Sequence, residues 1–234
     1  MKTNLYVLPY AGGSSTLYMK WARYLNKDIE IIPIELPGRG KRINELLLVN
    51  FDEMLQDITH SISEKISSDG DSRYAIFGYS MGSLLGYELY YQIEKKKLPL
   101  PKHMFFSAME APHLLKNELI HTLSNEQLCN KIATLGGTTQ QFFESKELLE
   151  FFLPIIRADF SVIDSYLFIP KAKKINCDIS ILYSQDDVET KVENVQEWKD
   201  YSNKECSFHS FSDGHFFINK YPIEIMQIIN RTLL

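Results

Sequence analysis

The sequence predicts an α/β domain built on a mostly parallel sheet, and three observations carry that expectation. Apolar runs of strand length recur through the 234 residues, separated by amphipathic stretches of helical period. The segment Gly78-Tyr79-Ser80-Met81-Gly82 joins one such run directly to a helical pattern. One long interval, residues 112–174, holds helical patterns and no convincing strand. The length suits one large domain better than two small ones, so residues 1–234 are read as a single unit with 112–174 as a helical lid insertion.

Each element has its own signal. Residues 5–8, 29–34, 74–77, 103–106, 179–183 and 207–211 are short, rich in β-branched and aromatic side chains, and read as strands. Between them, residues 15–25, 51–66, 83–97, 188–201 and 222–233 repeat their apolar positions at helical spacing. Residues 67–72 are a polar turn. Within the lid, helices are expected at 125–135, 145–152 and 154–166, the last beginning at Pro154. Such alternation places helices on both faces of the sheet and active groups at the carboxyl ends of its strands.

Composition narrows the function. A hydrophobic fraction of 44% supports a substantial core. The net charge of −5 and the lack of a basic stripe argue against a nucleic-acid surface. The run Lys95-Lys96-Lys97 ends a helix, where cations complement the helix dipole. Cys129, Cys177 and Cys206 have no metal-like spacing and read as free thiols of a reducing compartment. The N-terminal residues lead into a strand without the apolar core of a secretion signal, and no apolar run is long enough to span a bilayer. The expectation is a cytoplasmic monomer without membrane or nucleic-acid partners.

The chemistry centres on Ser80. In a G-x-S-x-G elbow the serine sits on a strained strand-to-helix turn, and the flanking glycines let two backbones pass closely. A serine hydroxyl needs a base to take its proton and a third group to orient that base. The order Ser, then Asp or Glu, then His is that of the α/β-hydrolase fold. Asp186 and Asp187 follow the run 179–183, and His215 follows the run 207–211 in the loop Ser212-Asp213-Gly214-His215. Of the six histidines, His60 and His121 lie on helical patterns and read as surface residues. His103 and His209 lie in strands, and His113 is a loop residue that could face the cleft. Only His215 occupies a glycine-containing loop after the last strand. In Ser184-Gln185-Asp186-Asp187, the acid of a G-x-x-D turn corresponds to Asp187, leaving Asp186 to cap the turn. An oxyanion hole needs two backbone N–H groups. Met81 supplies one by position; the other is expected from the loop Pro9-Tyr10-Ala11-Gly12-Gly13, with Ala11 preferred and Tyr10 next.

Further motifs extend along nearly the whole chain. Leu8-Pro9-Tyr10-Ala11-Gly12-Gly13, Pro37-Gly38-Arg39-Gly40, the elbow, Leu135-Gly136-Gly137, Phe152-Leu153-Pro154, Arg157-Ala158-Asp159 and Asp213-Gly214-His215-Phe216 resemble the type II thioesterases that accompany nonribosomal peptide and polyketide synthetases. Tyr79 stands where that family most often has histidine. The resemblance implies an editing hydrolase that clears acyl groups from the phosphopantetheine arm of acyl or peptidyl carrier domains. It implies a Ser80–His215–Asp187 triad with Met81 and Ala11 as oxyanion donors, and no metal or cofactor beyond the arm borne by the substrate. Phe142, Phe143, Phe151 and Phe152 are candidates to line an acyl slot or to pack lid against body. Two other readings use the same residues: a small-molecule carboxylesterase or lipase, and a non-catalytic acyl-carrier-binding protein.

Overall fold

The computed structural model describes residues 2–68 and 73–234. Six strands, β1 (Thr3–Leu8), β2 (Ile29–Pro33), β3 (Arg73–Tyr79), β4 (His103–Ser107), β5 (Asp178–Ser184) and β6 (Cys206–Phe211), form one sheet in the order β2-β1-β3-β4-β5-β6. All its pairings are parallel. The helices are α1 (Thr16–Met19), α2 (Phe51–Ser68), α3 (Met81–Lys95), α4 (Asn125–Leu135), α5 (Gln140–Glu144), α6 (Lys146–Asp164), α7 (Val192–Gln196) and α8 (Pro222–Leu233). Ser67 and Ser68 of the expected polar turn end α2, and residues 69–72 lie outside the described residues.

Strand alternation divides the core into two layers. Tyr6, Leu8, Ile76, Met104, Phe106 and Ile181 face one side and join Ile58, Leu85 and Leu89 of α2 and α3. Leu5, Val7, Phe77, Phe105 and Leu182 face the other and join Trp21 with Ile225, Met226 and Ile229 of α8. Both faces are covered, so the strands carry near-continuous apolar runs. A buried histidine survives in this core because it is neutral and bonded. His103 pairs with Ser180 Oγ at 2.8 Å, and burial pushes its pKa down to about 4.

The order of strands positions the site. The chain leaves β1 for β2 on one side and leaves β3 for β4 on the other, so the strand order reverses between β1 and β3, and the crevice opens beyond the carboxyl ends of that pair. Leu8 is paired with Gly78, so the loop after β1 starts beside the elbow after β3. The two elbow glycines allow that proximity. A Cβ on Gly82 would lie 2.2 Å from the Leu8 carbonyl oxygen, and one on Gly78 would lie 2.3 Å from that of Gly82. We therefore expect Gly82→Ala to destabilise the protein by about 3 kcal/mol or more, a Tm decrease of roughly 6–12 °C. Gly136→Ala is the control. Gly136 has φ +78° and ψ −163°, and a Cβ there would meet no atom within 4 Å, so backbone strain alone remains, about 1–3 kcal/mol.

Three helical expectations are corrected. Residues 15–25 and 188–201 form only short α-helices, α1 and α7, each continued by a 3₁₀ turn, Lys20–Arg23 and Glu197–Asp200. The lid helices expected at 145–152 and 154–166 are one helix, α6, which runs through Pro154. Proline removes one hydrogen bond there, but Leu149, Leu153, Ile156, Phe160 and Ile163 form an unbroken stripe at alternating four- and three-residue spacing. That stripe packs with Ile120, Leu128 and Ile132 in a separate lid core, and the packing outweighs the local break.

Candidate active site

Ser80 lies between β3 and α3 with φ 52° and ψ −117°, a conformation costing about 1–3 kcal/mol. Its N–H donates to the Ser107 carbonyl at 2.8 Å, which anchors the turn to β4. The single proton of Ser83 Oγ is shared between the carbonyls of Gly78 and Ser107, and the oxygen accepts the Ser107 N–H, bracing the elbow from inside the helix. The strain is thus held in place by neighbouring strand ends. It lifts the hydroxyl clear of the sheet at the N-terminus of α3.

His215 and Asp187 meet this hydroxyl. His215 Nε2 is 3.0 Å from Ser80 Oγ, and Nδ1 is 2.9 Å from Asp187 Oδ2. Both partners are buried, while Ser80 remains partly open to the cleft. Burial acts to raise the Asp187 carboxyl, but its bonds with His215 and the Glu189 N–H prevail and hold it below the usual carboxylate value. An ionised Asp187 fixes the proton on Nδ1 and leaves Nε2 to accept from Ser80. Asp186 is instead exposed, and its Oδ2 accepts the Asp213 N–H at 3.1 Å. It caps the histidine turn, where Asp213 and Gly214 both have positive φ. Asp187→Asn is therefore expected to lower kcat about 10⁴-fold, through the wrong imidazole tautomer, whereas Asp186→Asn changes it less than about tenfold. Steady-state kinetics on one acyl thioester separates the two.

The other histidines are engaged elsewhere. His113 Nδ1 pairs with Tyr201 Oη at 2.6 Å and stacks on that ring, so it does not join the Ser80 relay. His121 is half-buried rather than a free surface group, with Nδ1 2.7 Å from Asp164 Oδ2. His60 is exposed beside Glu64.

Ala11 and Met81 line the same cavity as Ser80 and His215. Met81 is the first residue of α3, where N–H groups have no partner within the helix. In the facing loop the Gly12 N–H donates to Asp159 Oδ2 at 2.6 Å, and the Gly13 N–H donates to the Tyr10 carbonyl at 2.8 Å. Those bonds take up both glycine donors and leave Ala11 and Tyr10 as the loop's remaining candidates.

The cavity measures about 740 Å³ and is shared between body and lid. Leu84 and Met109 line it from the body; Ile132, Phe142, Phe152 and Ile156 line it from the lid. The four candidate aromatics thus divide. Phe142 and Phe152 face the cavity, Phe143 packs in the lid core, and Phe151 is half exposed.

Two contacts were not foreseen from the sequence. Tyr79 Oη donates to the His215 carbonyl at 2.5 Å and accepts from the Ile218 N–H, so the elbow and the histidine loop are stapled together. Burial raises this phenol well above its ordinary pKa, so it stays a neutral donor. The second is a buried ion pair between body and lid. Arg39 Nη1 and Nη2 donate to Asp159 Oδ2 and Oδ1 at 2.5 and 2.6 Å. Both residues lie within motifs already singled out, but 120 residues separate them and no local pattern links them.

Known proteins resemble this chain over nearly its whole length. The thioesterase domain family matches residues 3–233. The gramicidin S biosynthesis protein GrsT of Aneurinibacillus migulanus is 30% identical over 99% of this chain and 89% of its own length. The crystal structure of ClbQ, from the colibactin NRPS/PKS pathway, superposes with a TM-score of 0.91 at 30% identity, covering 100% of this chain and 97% of that one. RedJ, the thioesterase of the prodiginine pathway in Streptomyces coelicolor, also gives 0.91, at 28% identity over 98% of this chain and 90% of its own. With the match running from β1 to the end of α8, the chain belongs to the thioesterase domain family.

Proposed function

We propose that the protein is an editing thioesterase that hydrolyses acyl groups from the phosphopantetheine arm of acyl or peptidyl carrier domains. The observation that carries this reading is the Ser80–His215–Asp187 chain, at 3.0 and 2.9 Å, opening into a largely apolar cavity roofed by the lid. Similarity to GrsT, ClbQ and RedJ supports the biosynthetic setting.

The steps follow from the geometry. His215 Nε2 takes the Ser80 proton as Oγ attacks the thioester carbonyl. The N–H groups of Met81 and Ala11 hold the developing oxyanion, and each such donor contributes about 100- to 1000-fold in turnover. Asp187 stabilises the imidazolium. Collapse breaks the C–S bond, and His215 returns the proton to the departing pantetheine sulfur. Water then attacks the acyl-serine, giving its proton to His215, and the free acid leaves as Ser80 regains its hydrogen. The protein residues need no cofactor or metal for this sequence; the phosphopantetheine belongs to the substrate.

Among the described residues no helix is long and apolar enough to cross a membrane. Cys129, Cys177 and Cys206 are free thiols, which fits a reducing cytoplasm, and the enzyme is proposed to act there as a monomer that meets carriers transiently.

The deciding experiment compares one acid presented as a carrier-bound thioester and as a free small ester. The expected kcat/KM ratio favours the carrier by about a hundredfold or more, because remote contacts to the arm contribute to transition-state binding. A ratio near one indicates a small-molecule esterase. No labelling by a fluorophosphonate, with carrier binding intact, indicates a non-catalytic binder.

A further inference from the structure

We propose that Asp159, on the lid helix, is a positioning residue that sets the oxyanion loop of the body. This rests on the serine-hydrolase reading above, with Ala11 as the loop's oxyanion donor. Asp159 is fully buried, and one of its carboxylate oxygens, Oδ2, receives both the Gly12 N–H at 2.6 Å and Arg39 Nη1 at 2.5 Å. The same Arg39 nitrogen also donates to the Gly13 carbonyl at 3.2 Å. One ion pair therefore grips the loop at two successive residues, through a donor on Gly12 and an acceptor on Gly13. A second contact from the same helix reinforces the grip. Gly12 has φ +78°, and a Cβ there would lie 2.7 Å from Cγ1 of Ile156, one turn before Asp159 on α6.

The consequence is electrostatic as well as geometric. An unpaired carboxylate this near the loop would oppose a developing oxyanion. Bidentate pairing with Arg39 neutralises it while leaving its oxygen free to accept from Gly12. With Gly12 N–H directed at the lid and Gly13 N–H closed on Tyr10, the peptide of Ala11 is held at the cleft. The oxyanion donor is thus in place only while α6 is docked, and an acyl chain that displaces α6 also loosens the hole.

Two double variants isolate the Gly12 bond from the buried charge. Arg39→Met with Asp159→Asn retains an amide oxygen for the Gly12 N–H. Arg39→Met with Asp159→Leu removes it, and neither variant leaves a charge unpaired. The expected result on an acyl-pantetheine thioester is a kcat at least about tenfold lower for the leucine variant than for the asparagine variant, with KM within about threefold. Binding of a trifluoromethyl ketone analogue of that substrate is expected to weaken in parallel with kcat, because it forms the tetrahedral oxyanion. Active sites are counted by complete fluorophosphonate labelling, so a folding defect does not enter the comparison. Equal kcat for the two variants overturns the proposal. The parent protein gives a reading that needs no variant: the Gly12 amide is expected to be shifted downfield and protected from exchange, and exchange at the rate of an open loop overturns the proposal. Ser80→Ala is measured alongside. If it retains turnover, the serine mechanism itself fails; if it is inactive while the two doubles are equal, only the role of Asp159 fails.

Discussion

Alanine in place of Ser80 is expected to lower kcat on a carrier-bound thioester by about a million-fold, the order reached when a triad serine is lost. The expectation follows from what the hydroxyl does and what the backbone does without it. Ser80 Oγ is the atom that faces His215 Nε2, and no other hydroxyl is placed there by the elbow. The strained φ of 52° is held by the Ser80 N–H bond to Ser107 and by the crossing of Gly82 over Leu8, neither of which involves the side chain. Thermal stability should therefore change by less than about 1 kcal/mol. His215→Ala is expected to lower kcat by a similar factor, and the double variant by no more than either alone, because nucleophile and base act as a unit. Single-turnover kinetics with melting curves on the same samples checks all three. Turnover within tenfold of the parent in folded Ser80→Ala would refute the mechanism.

Much of this site is legible from sequence because it depends on local signals. The apolar runs are short and bounded, the glycines of the elbow have a steric purpose, and Asp187 and His215 each stand just past a strand that ends on the same rim. Parallel pairing then brings those rims together without further information. The choice of Asp187 over Asp186 is visible only as a turn position; the burial of one and the exposure of the other come from the fold. The unforeseen features are those decided by tertiary packing. Pro154 reads as a break, yet the apolar stripe on both sides of it continues in register and packs as one face. Tyr79 reads as a departure within the elbow, and its function as a staple needs the His215 carbonyl to arrive from the far end of the chain. The pairing of Arg39 with Asp159 is of the same kind, since each lies in a recognisable motif but nothing local links the two across 120 residues.

That pair is expected to give the largest stability change outside the sheet. Asp159→Leu should destabilise the protein by about 3–5 kcal/mol, a Tm decrease of roughly 6–20 °C. Desolvation, rather than loss of attraction alone, supplies the magnitude. The Arg39 side chain is 4% exposed and that of Asp159 is 0%, so removing the carboxylate leaves a guanidinium in the interior with two of its strongest bonds gone. The Gly13 and Pro37 carbonyls, at 3.2 and 3.4 Å, are neutral acceptors that cannot replace it. Arg39→Met alone strands the carboxylate with the Gly12 N–H and is expected to destabilise to a similar extent. The double variant, having no buried charge, should recover most of the loss, since a packed apolar pair is often as stable as the ion pair it replaces. A double-mutant cycle followed by thermal melting should therefore give a coupling of several kcal/mol. Simple additivity would mean that Arg39 and Asp159 are not paired in solution.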